Sequence, residues 1–467
     1  METELADGAH IVALPGRGRG VVATKALPSG TCLFTEYPIV AMQHGVNERA
    51  GAWVCERCFR FLGPLEAQVE GLLRHREVCM NLPKQLPLVD GMHELPPAVP
   101  CRGGCSARYC SEECAARNFA DYHRLLCPGV CGSAGGDAAP SPMPPAPPPV
   151  LVSGVVSTDV SSTDQVGAGI STLELGVKIG ECAGAASSSA MPATNSFDDL
   201  PTQPLERFVA HAKATNEIFL LAAKAAALVL CRFEADGMAG YQAAMSNFNE
   251  PVWWEAVATP DDATDEVAFR RTLRELLIES WTLLCALLGP HAPAGCSLLT
   301  SPAEYASIVG SFERRNCAVQ VASPVEAYFL AVDAMPEGDV KASTTAVTAP
   351  LLDALDVAYS TPFEGTGIFP LQAMLNHSCE PNVTLLKEEG AEERDGRVVA
   401  RLTRAVAEGE ELCNAYVDTN LPVRRRRREL REYGFECDCP RCVRELEAAN
   451  EKKAAKQSKA EGKRRLK

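Results

Sequence analysis

Short, repeated cysteine spacings constrain this chain more than any other feature of its sequence. Nine of its 20 cysteines lie in Cys55–Cys131 and three more in Cys437–Cys442. Such clustering is typical of zinc sites rather than disulfides. In the first segment the ligand pairs are Cys55-x2-Cys58, Cys101-x3-Cys105, Cys110-x3-Cys114 and His123-x3-Cys127. Since each pair can hold one side of a tetrahedral ion, the segment predicts two structural zinc ions rather than buried structural thiols.

The second cluster, in "YGFECDCPRC", supplies three thiols, Cys437, Cys439 and Cys442. A structural zinc needs four ligands, so the fourth must come from elsewhere in the chain. Cys379, in "LNHSCEPN", is the best candidate, and the alternative is a buried core thiol. We therefore expect about three zinc ions per chain. His75 and Cys79 lie within the first segment as alternative ligands.

Charge and hydropathy narrow the classes of partner. The net charge is −15 with a pI near 5.2, which argues against broad binding of nucleic-acid phosphates and favours a basic partner such as a lysine-rich peptide. No apolar run approaches the roughly 20 residues of a membrane span, and the acidic N-terminus lacks a signal peptide. We expect an intracellular protein without a membrane segment.

The composition changes several times along the chain. Residues 132–203 are rich in Ala, Ser, Gly and Pro and are expected to be disordered. Residues 265–289 carry a helical stripe of Leu273, Leu277, Trp281, Leu284 and Leu288, which indicates core packing. The full division is 8–54 (β-type), 55–131 (cysteine-rich), 132–203 (insert), 204–300 (helical), 301–420 (β-containing core), 421–443 (second cysteine cluster) and 444–467 (basic tail).

Several motifs resemble one family. The segments "GRGRGVVATKAL", "LNHSCEPN", "NAYVD" and "YGFECDCPRC" occur in that order and resemble a SET domain with its post-SET cysteines. The pattern "CERC…RYCSEECAARNFADYHRLLC" resembles a MYND finger, although 42 residues separate Cys58 from Cys101, more than is typical. The whole resembles the SMYD lysine methyltransferases, most closely the fifth member and a plant trithorax-related SET protein with a MYND-like finger.

The resemblance implies a mixed α+β fold with zinc modules. Its parts would be a β-rich pseudoknotted SET core, an inserted MYND zinc finger, a helical insert and a cysteine-rich post-SET segment. In the finger the pairs would be interleaved, the first with the third and the second with the fourth. The implied ligand sets are Cys55, Cys58, Cys110 and Cys114; Cys101, Cys105, His123 and Cys127; and, after SET, Cys379, Cys437, Cys439 and Cys442.

The resemblance also implies S-adenosylmethionine as cofactor. The alternative of a dinucleotide loop at Gly16-x-Gly18-x-Gly20 lacks the required spacing and a following helix. The implied cofactor-binding residues are Arg17, Arg19, Asn316, Asn376, His377, Tyr416, Tyr433 and Phe435. Tyr433 and Phe435 would stack near the adenine and wall the lysine channel, or serve only as core aromatics.

Tyr416 is the candidate catalytic residue. Methyl transfer from a sulfonium to an amine depends mainly on alignment, so a hydroxyl that orients the amine suffices without a strong base. The attacking lysine, with a pKa of about 10.4 in water, must lose its proton first. The alternative for Tyr416 is a core tyrosine at the end of a strand.

We therefore expect a protein-lysine N-methyltransferase acting on a histone (H3 or H4) or a ribosomal protein, in the nucleus, the cytoplasm or both, as a monomer. The alternative is a catalytically weak or inactive MYND adaptor that binds proline-containing peptides; the chain itself carries "PSPMPPAPPPV" at 140–150. The run Arg424–Arg428 and the basic tail are either solvated helix faces or contacts for nuclear import or nucleosomal DNA. The methylated lysine and its methylation state stay open.

Overall fold

The computed structural model describes residues 5–45, 51–89, 94–131, 203–260, 263–386 and 394–465. The insert expected to be disordered, 132–203, lies outside these ranges apart from Gln203, and so does the proline-rich stretch 140–150. Within the described ranges the chain combines helices with several small sheets. The mixed α+β class is confirmed.

The strands are short, as expected of a chain punctuated by glycine and proline turns. They are β1 Ala9–Leu14, β2 Gly18–Ala23, β3 Cys32–Glu36, β4 Val40–Gln43, β5 Val99–Pro100, β6 Arg108–Tyr109, β7 Asn316–Val321, β8 Phe363–Ile368, β9 Asn376–His377, β10 Val383–Leu386, β11 Val398–Leu402 and β12 Glu411–Asn414.

The α-helices include the long Ala/Leu-rich segments. They are α1 Leu65–His75, α2 Glu112–Asn118, α3 Arg124–Leu126, α4 Pro128–Cys131, α5 Pro204–Thr215, α6 Ile218–Met245, α7 Trp253–Ala256, α8 Glu266–Leu288, α9 Pro302–Arg315, α10 Pro324–Asp333, α11 Asp339–Leu355, α12 Val423–Leu430 and α13 Pro440–Arg465. A π-helical turn, Phe119–His123, joins α2 to α3. The backbone of α6 leaves helical geometry at Gly237.

The sheets join distant parts of the sequence. One has the order β1-β2-β12-β9, in which β12 pairs with β2 antiparallel and with β9 parallel. The others have the orders β10-β11-β3, β4-β8-β7 and β5-β6. Because β12 lies between β2 and β9, the glycine-rich loop before β2 comes next to the Asn-His pair that forms β9.

A helical core supports these sheets. Along α8, Leu273, Leu277, Leu284 and Leu288 are at most 4% exposed, which confirms the predicted stripe. The stripe's tryptophan is half-buried, and its ring nitrogen donates to a backbone carbonyl. Asp265 caps the helix by accepting a hydrogen bond from the amide of Ala268, at 2.9 Å.

A buried carboxylate holds the turn that leads into β9. Glu36, 3% exposed, accepts hydrogen bonds from the amides of Leu371 (2.9 Å) and Gln372 (3.0 Å). Burial raises the pKa of Glu36 to about 7, although these amides oppose the rise. The β3 strand is thereby tied to the turn Gln372–Met374, which ends three residues before His377.

The cysteine-rich segment, residues 55–131, packs against both the sheets and α6. The amide of Gly396 donates to the carbonyl of Cys58 at 2.6 Å, and the Lys224 ammonium lies 5.9 Å from the Tyr122 ring centroid. Arg232 pairs with Asp121 at 2.7 Å. Within the described part of the chain, none of the helices combines the length and apolarity needed to cross a bilayer.

Candidate metal centres and candidate active site

The first cysteine group is Cys55, Cys58, Cys110 and Cys114, whose sulfurs all lie within 4.8 Å of one another. The Sγ atoms of Cys58 and Cys110 are 3.5 Å apart, and so are those of Cys110 and Cys114. Ser111 caps α2 by accepting from the Cys114 amide, which fixes this end of the group. The first and third predicted pairs are brought together.

The second cysteine group is Cys101, Cys105, His123 and Cys127. The Cys101 and Cys127 sulfurs are 3.8 Å apart, and Cys105 Sγ lies 3.3 Å from Nε2 of His123. Burial, followed by the charge of Lys224, lowers the pKa of His123 to about 4, so the ring is neutral near pH 7. A neutral imidazole is the form that binds zinc.

The third cysteine group is Cys379, Cys437, Cys439 and Cys442, all four of them buried. Cys379 Sγ lies 3.4 Å from the sulfur of Cys442 and 4.0 Å from that of Cys437. Cys379 thus sits in a thiol cluster rather than alone among apolar side chains. His75 and Cys79 join none of the groups formed by described residues.

The chemistry of the three donor sets fits zinc. Two sets offer four thiolates and one offers three thiolates with an imidazole, the compositions that structural zinc sites use. In each set the four donor atoms lie mutually within 4.8 Å, so the residues could hold a tetrahedral ion with little rearrangement.

The sequence interpretation of the arginine run is wrong for one of its members, while Arg424, Arg425 and Arg428 are exposed as expected. The predicted helix is present as α12, but Arg426 is only 1% exposed and neither solvated nor available to DNA. Its Nε donates to Cys379 Sγ at 3.2 Å. The reason is periodicity: Val423, Arg426 and Leu430 are spaced by three and four residues and share the buried face of the helix.

The loop before β2 meets β9 through polar contacts. Arg17 Nη2 donates to the carbonyl of His377 at 3.0 Å, and Arg17 Nε lies 3.4 Å from the Glu411 carboxylate. Asn376 Nδ2 donates to that carboxylate at 2.9 Å and to the carbonyl of Arg19 at 3.1 Å. A Cβ on Gly20 would lie 2.9 Å from Asn376 Nδ2, so glycine permits this approach.

The ring of His377 connects the third cysteine group to Tyr416. Its Nδ1 accepts a hydrogen bond from the Tyr416 amide at 2.9 Å, and its Nε2 lies 3.2 Å from Cys379 Sγ. With Nδ1 accepting, the proton of a neutral ring is on Nε2 and points at sulfur. Both ring nitrogens of His377 are therefore used within the protein.

Tyr416 lies at the centre of an aromatic cluster. Its hydroxyl donates to the carbonyl of Leu375 at 2.7 Å, and its ring centroid is 5.1 Å from that of Tyr433 and 6.3 Å from that of Phe435. Burial raises the pKa of Tyr416, so the phenol keeps its proton at neutral pH. Gly434 links the two other aromatics at φ +80°, where a side chain would also meet Arg314.

Asn316 is exposed at the start of β7, opposite Ile368 in the sheet. The next residue, Cys317, lies near Tyr433, whose pKa is raised by burial and then by that thiol. The start of β7 thus faces the aromatic cluster. Of the implied cofactor residues, His377, Tyr433 and Phe435 lie around Tyr416, and Arg17 contacts the carbonyl of His377.

Comparison with known proteins finds the SET domain that the sequence motifs resemble. The family model for the SET domain matches residues 256–417. The chain is 29% identical over 489 residues to histone-lysine N-methyltransferase ATXR2 of Arabidopsis thaliana, covering 91% of this chain and 88% of that protein. It is 29% identical over 113 residues to protein-lysine N-trimethyltransferase SMYD5 of Gallus gallus (24% and 26% covered) and 38% identical over 79 residues to histone-lysine N-methyltransferase SMYD3 of Mus musculus (17% of each).

The chain is a SET-domain protein related to the SMYD and ATXR lysine methyltransferases. The matched SET region includes β9 and Tyr416, whereas Arg17 and three ligands of the third cysteine group lie outside it. The candidate cofactor pocket around Tyr416 therefore also draws on segments that precede and follow the matched region.

Three polar residues of this SET protein escaped sequence reasoning. Glu411 binds both Asn376 and Arg17, Glu36 holds the turn before β9, and Arg426 contacts the third cysteine group. Only the burial of Arg426 could have been predicted from the sequence, because its spacing to Val423 and Leu430 places it on the apolar face of α12. The two glutamates lie in segments whose local pattern does not separate them from surface carboxylates.

Proposed function

We propose that this protein is an S-adenosylmethionine-dependent protein-lysine N-methyltransferase. The observation that carries the proposal is the setting of Tyr416, whose amide is held by His377 and whose hydroxyl is held by Leu375. The rings of His377, Tyr433 and Phe435 lie around it and support the proposal, because the SET resemblance assigns these residues to the cofactor. When bound, S-adenosylmethionine would supply an electrophilic methyl group on a sulfonium.

The protein's own groups would position and desolvate the substrate amine. The Tyr416 proton is donated to Leu375, so the phenol oxygen keeps lone pairs that can accept a hydrogen bond from the lysine nitrogen. Because burial raises the pKa of Tyr416, the phenol orients the amine and does not serve as a general base. The aromatic walls, half-buried Tyr433 and exposed Phe435, would lower the pKa of the lysine and favour its neutral, nucleophilic form.

The cofactor would rest on the Arg17 loop and β9. Asn376 and the main chain of His377 are held at the loop by Arg17, Arg19 and Glu411. The three cysteine groups would hold zinc, two of them in a MYND-type finger and one after the SET core. We propose a basic protein substrate, a histone or a ribosomal protein, because the chain carries a net charge of −15. Nuclear action and a monomeric state complete the proposal.

Isotope-labelled methyl transfer tests the proposal directly. Full-length protein is incubated with methyl-labelled S-adenosylmethionine and, separately, core histones, nucleosomes and a ribosomal fraction, and mass spectrometry locates the label. We expect label on lysine in at least one fraction and, at matched times, on the order of 10²-fold less with Tyr416→Phe. Calorimetric titration with S-adenosylmethionine runs in parallel. A protein that binds no cofactor would instead favour a peptide-binding adaptor.

A further inference from the structure

One arginine of α12 is buried against the third cysteine group. Arg426 is 1% exposed, whereas the side chain of its neighbour Arg425 is 59% exposed. The Arg426 guanidinium donates from Nε to Cys379 Sγ at 3.2 Å, and its Nη2 lies 3.7 Å from Cys442 Sγ. Nη2 also donates to the Glu445 carboxylate at 2.8 Å, and Nη1 donates to the carbonyl of Leu421.

These contacts satisfy a charge that would otherwise be costly to bury. An unpaired ion in the interior costs several kcal/mol, so a guanidinium at 1% exposure requires negative partners on several sides. The partners here are two sulfurs and one carboxylate. Glu445 also accepts from Arg441 Nε at 2.7 Å, which fixes the carboxylate from a second direction.

The charge of the third cysteine group calls for such a partner. Four thiolates around a divalent ion leave two negative charges in a buried site, and each hydrogen bond to sulfur lowers that cost. The first group, also of four thiolates, has Arg57 beside it. Burial lowers the pKa of Arg57, but the charges of Cys114 and Asp121 outweigh burial, so the pKa is raised overall. The second group replaces one thiolate with a neutral imidazole and so carries less charge.

We propose that Arg426 is a positioning residue for the third metal centre, where its fixed positive charge holds the sulfurs of Cys379 and Cys442 and slows the loss of zinc. Arg426 is not a catalytic residue, because its contacts are with Cys379, Cys442, Glu445 and Leu421 and not with Tyr416. Its effect reaches the pocket along the chain, because α12 is followed directly by Tyr433, Phe435 and then Cys437.

Charge and packing can be separated by two substitutions at the same position. Arg426→Met keeps most of the side-chain volume and removes the charge, whereas Arg426→Lys keeps the charge and loses the fork. Zinc release from full-length protein into a metallochromic chelator is followed over time, with total zinc from elemental analysis. The release phase missing in Cys379→Ser identifies the third centre.

We expect Arg426→Met to release that one zinc about tenfold or more faster, as changes beside metal ligands commonly do. The other two zincs should leave at the parent rate. Arg426→Lys should stay within about threefold of the parent, and the matched control Arg425→Met should not change release at all.

Two results would overturn the proposal: Arg426→Met releasing the third zinc at the parent rate, or Arg426→Lys releasing it as fast as Arg426→Met. The second would assign the effect to packing rather than charge. If Arg426→Met does not fold, Glu445→Gln removes the carboxylate that orients the guanidinium. It should then speed release of the third zinc alone by about threefold, and an unchanged rate would equally refute the proposal.

Discussion

The two cysteine-bearing regions of this protein are built differently. In the cysteine-rich segment, all eight ligands of the first two groups lie within Cys55–Cys127. In the third group, Cys379 is 58 residues away from Cys437, and the fold brings their sulfurs to 4.0 Å from each other. The first two groups connect residues within one segment. The third group connects the SET core to the segment that follows it.

The surroundings of the groups differ as well. The Cys58 carbonyl accepts from the amide of Gly396, which anchors the cysteine-rich segment to a loop of the core. Cys379 contacts His377, whose ring holds the Tyr416 amide. The comparison teaches that metal in the first two groups would stabilise a module, whereas metal in the third would stabilise the pocket itself.

Cys110→Ser should give the largest effect and should confine it to the cysteine-rich segment. Loss of a structural zinc removes on the order of 10 kcal/mol of folding free energy from a segment with little apolar core. Amide exchange should become fast across residues 94–131 and stay slow in the SET strands. Hydrogen exchange with mass spectrometry measures both regions at once, and Cys32→Ser, at an exposed thiol, is the matched control. Equal deprotection of both regions would break the comparison.

Tyr416→Phe should come next, with its effect confined to catalysis. The change removes the hydroxyl that donates to Leu375 and little volume, so fold and zinc content should be kept. Losing an oriented hydrogen bond in the transition state commonly costs on the order of 10²-fold in rate. Single-turnover methylation should show that loss while cofactor affinity changes by only about threefold. A variant as fast as the parent would remove Tyr416 from the catalytic role.

Glu36→Gln should give a smaller, pH-dependent effect on the SET side. The pKa of Glu36 is about 7 in the folded protein against an ordinary 4.5, so the folded state favours the protonated form. Stability from this group is therefore present at low pH and falls as the pH rises from 4.5 to 7. The free energy of unfolding of the parent, relative to the variant, should fall by about 2 kcal/mol between about pH 5.5 and 7.5.

Denaturant titrations at several pH values check this slope, and any loss of zinc at the acidic end affects parent and variant alike. Glu112→Gln, in the cysteine-rich segment, is the control, because that carboxylate is 75% exposed. A parent-minus-variant difference independent of pH would contradict the assignment to Glu36.

Cys79→Ser should have the smallest effect. Cys79 is exposed and joins none of the metal-competent groups of the described residues. Zinc content should equal that of the parent, and stability should change by less than about 0.5 kcal/mol, as for other surface substitutions. Elemental analysis showing one zinc fewer would place Cys79 among the ligands and redraw the first two groups.

Sequence reasoning succeeded where chemistry is encoded by local spacing. The cysteine pairs and the stripe of α8 both depend on neighbours within a few residues, and each appears in the structure. The Cys379 contact was also predicted, because three thiols require a fourth donor.

The failures share a different cause. Arg426 carries a charge, and a run of five arginines is ordinarily exposed, so its residue type hid the helical position that buries it. Glu36 acquires its role by accepting from Leu371, more than 300 residues away in the chain. Glu411 acquires its role by contacting Asn376 and Arg17, which come from two distant segments. Such contacts follow from topology, which no local pattern contains.

The central claim is that the third cysteine group belongs to the pocket and the first two do not. Its most direct test is calorimetric titration of S-adenosylmethionine into Cys379→Ser and Cys110→Ser, with zinc counted on the same samples. Each variant should lose zinc, but only Cys379→Ser should lose cofactor affinity, by about tenfold or more, since metal there orders the loop of His377 and the aromatic cluster. Cys379→Ser with full zinc and parental affinity, or equal losses of affinity in both variants, would contradict the account.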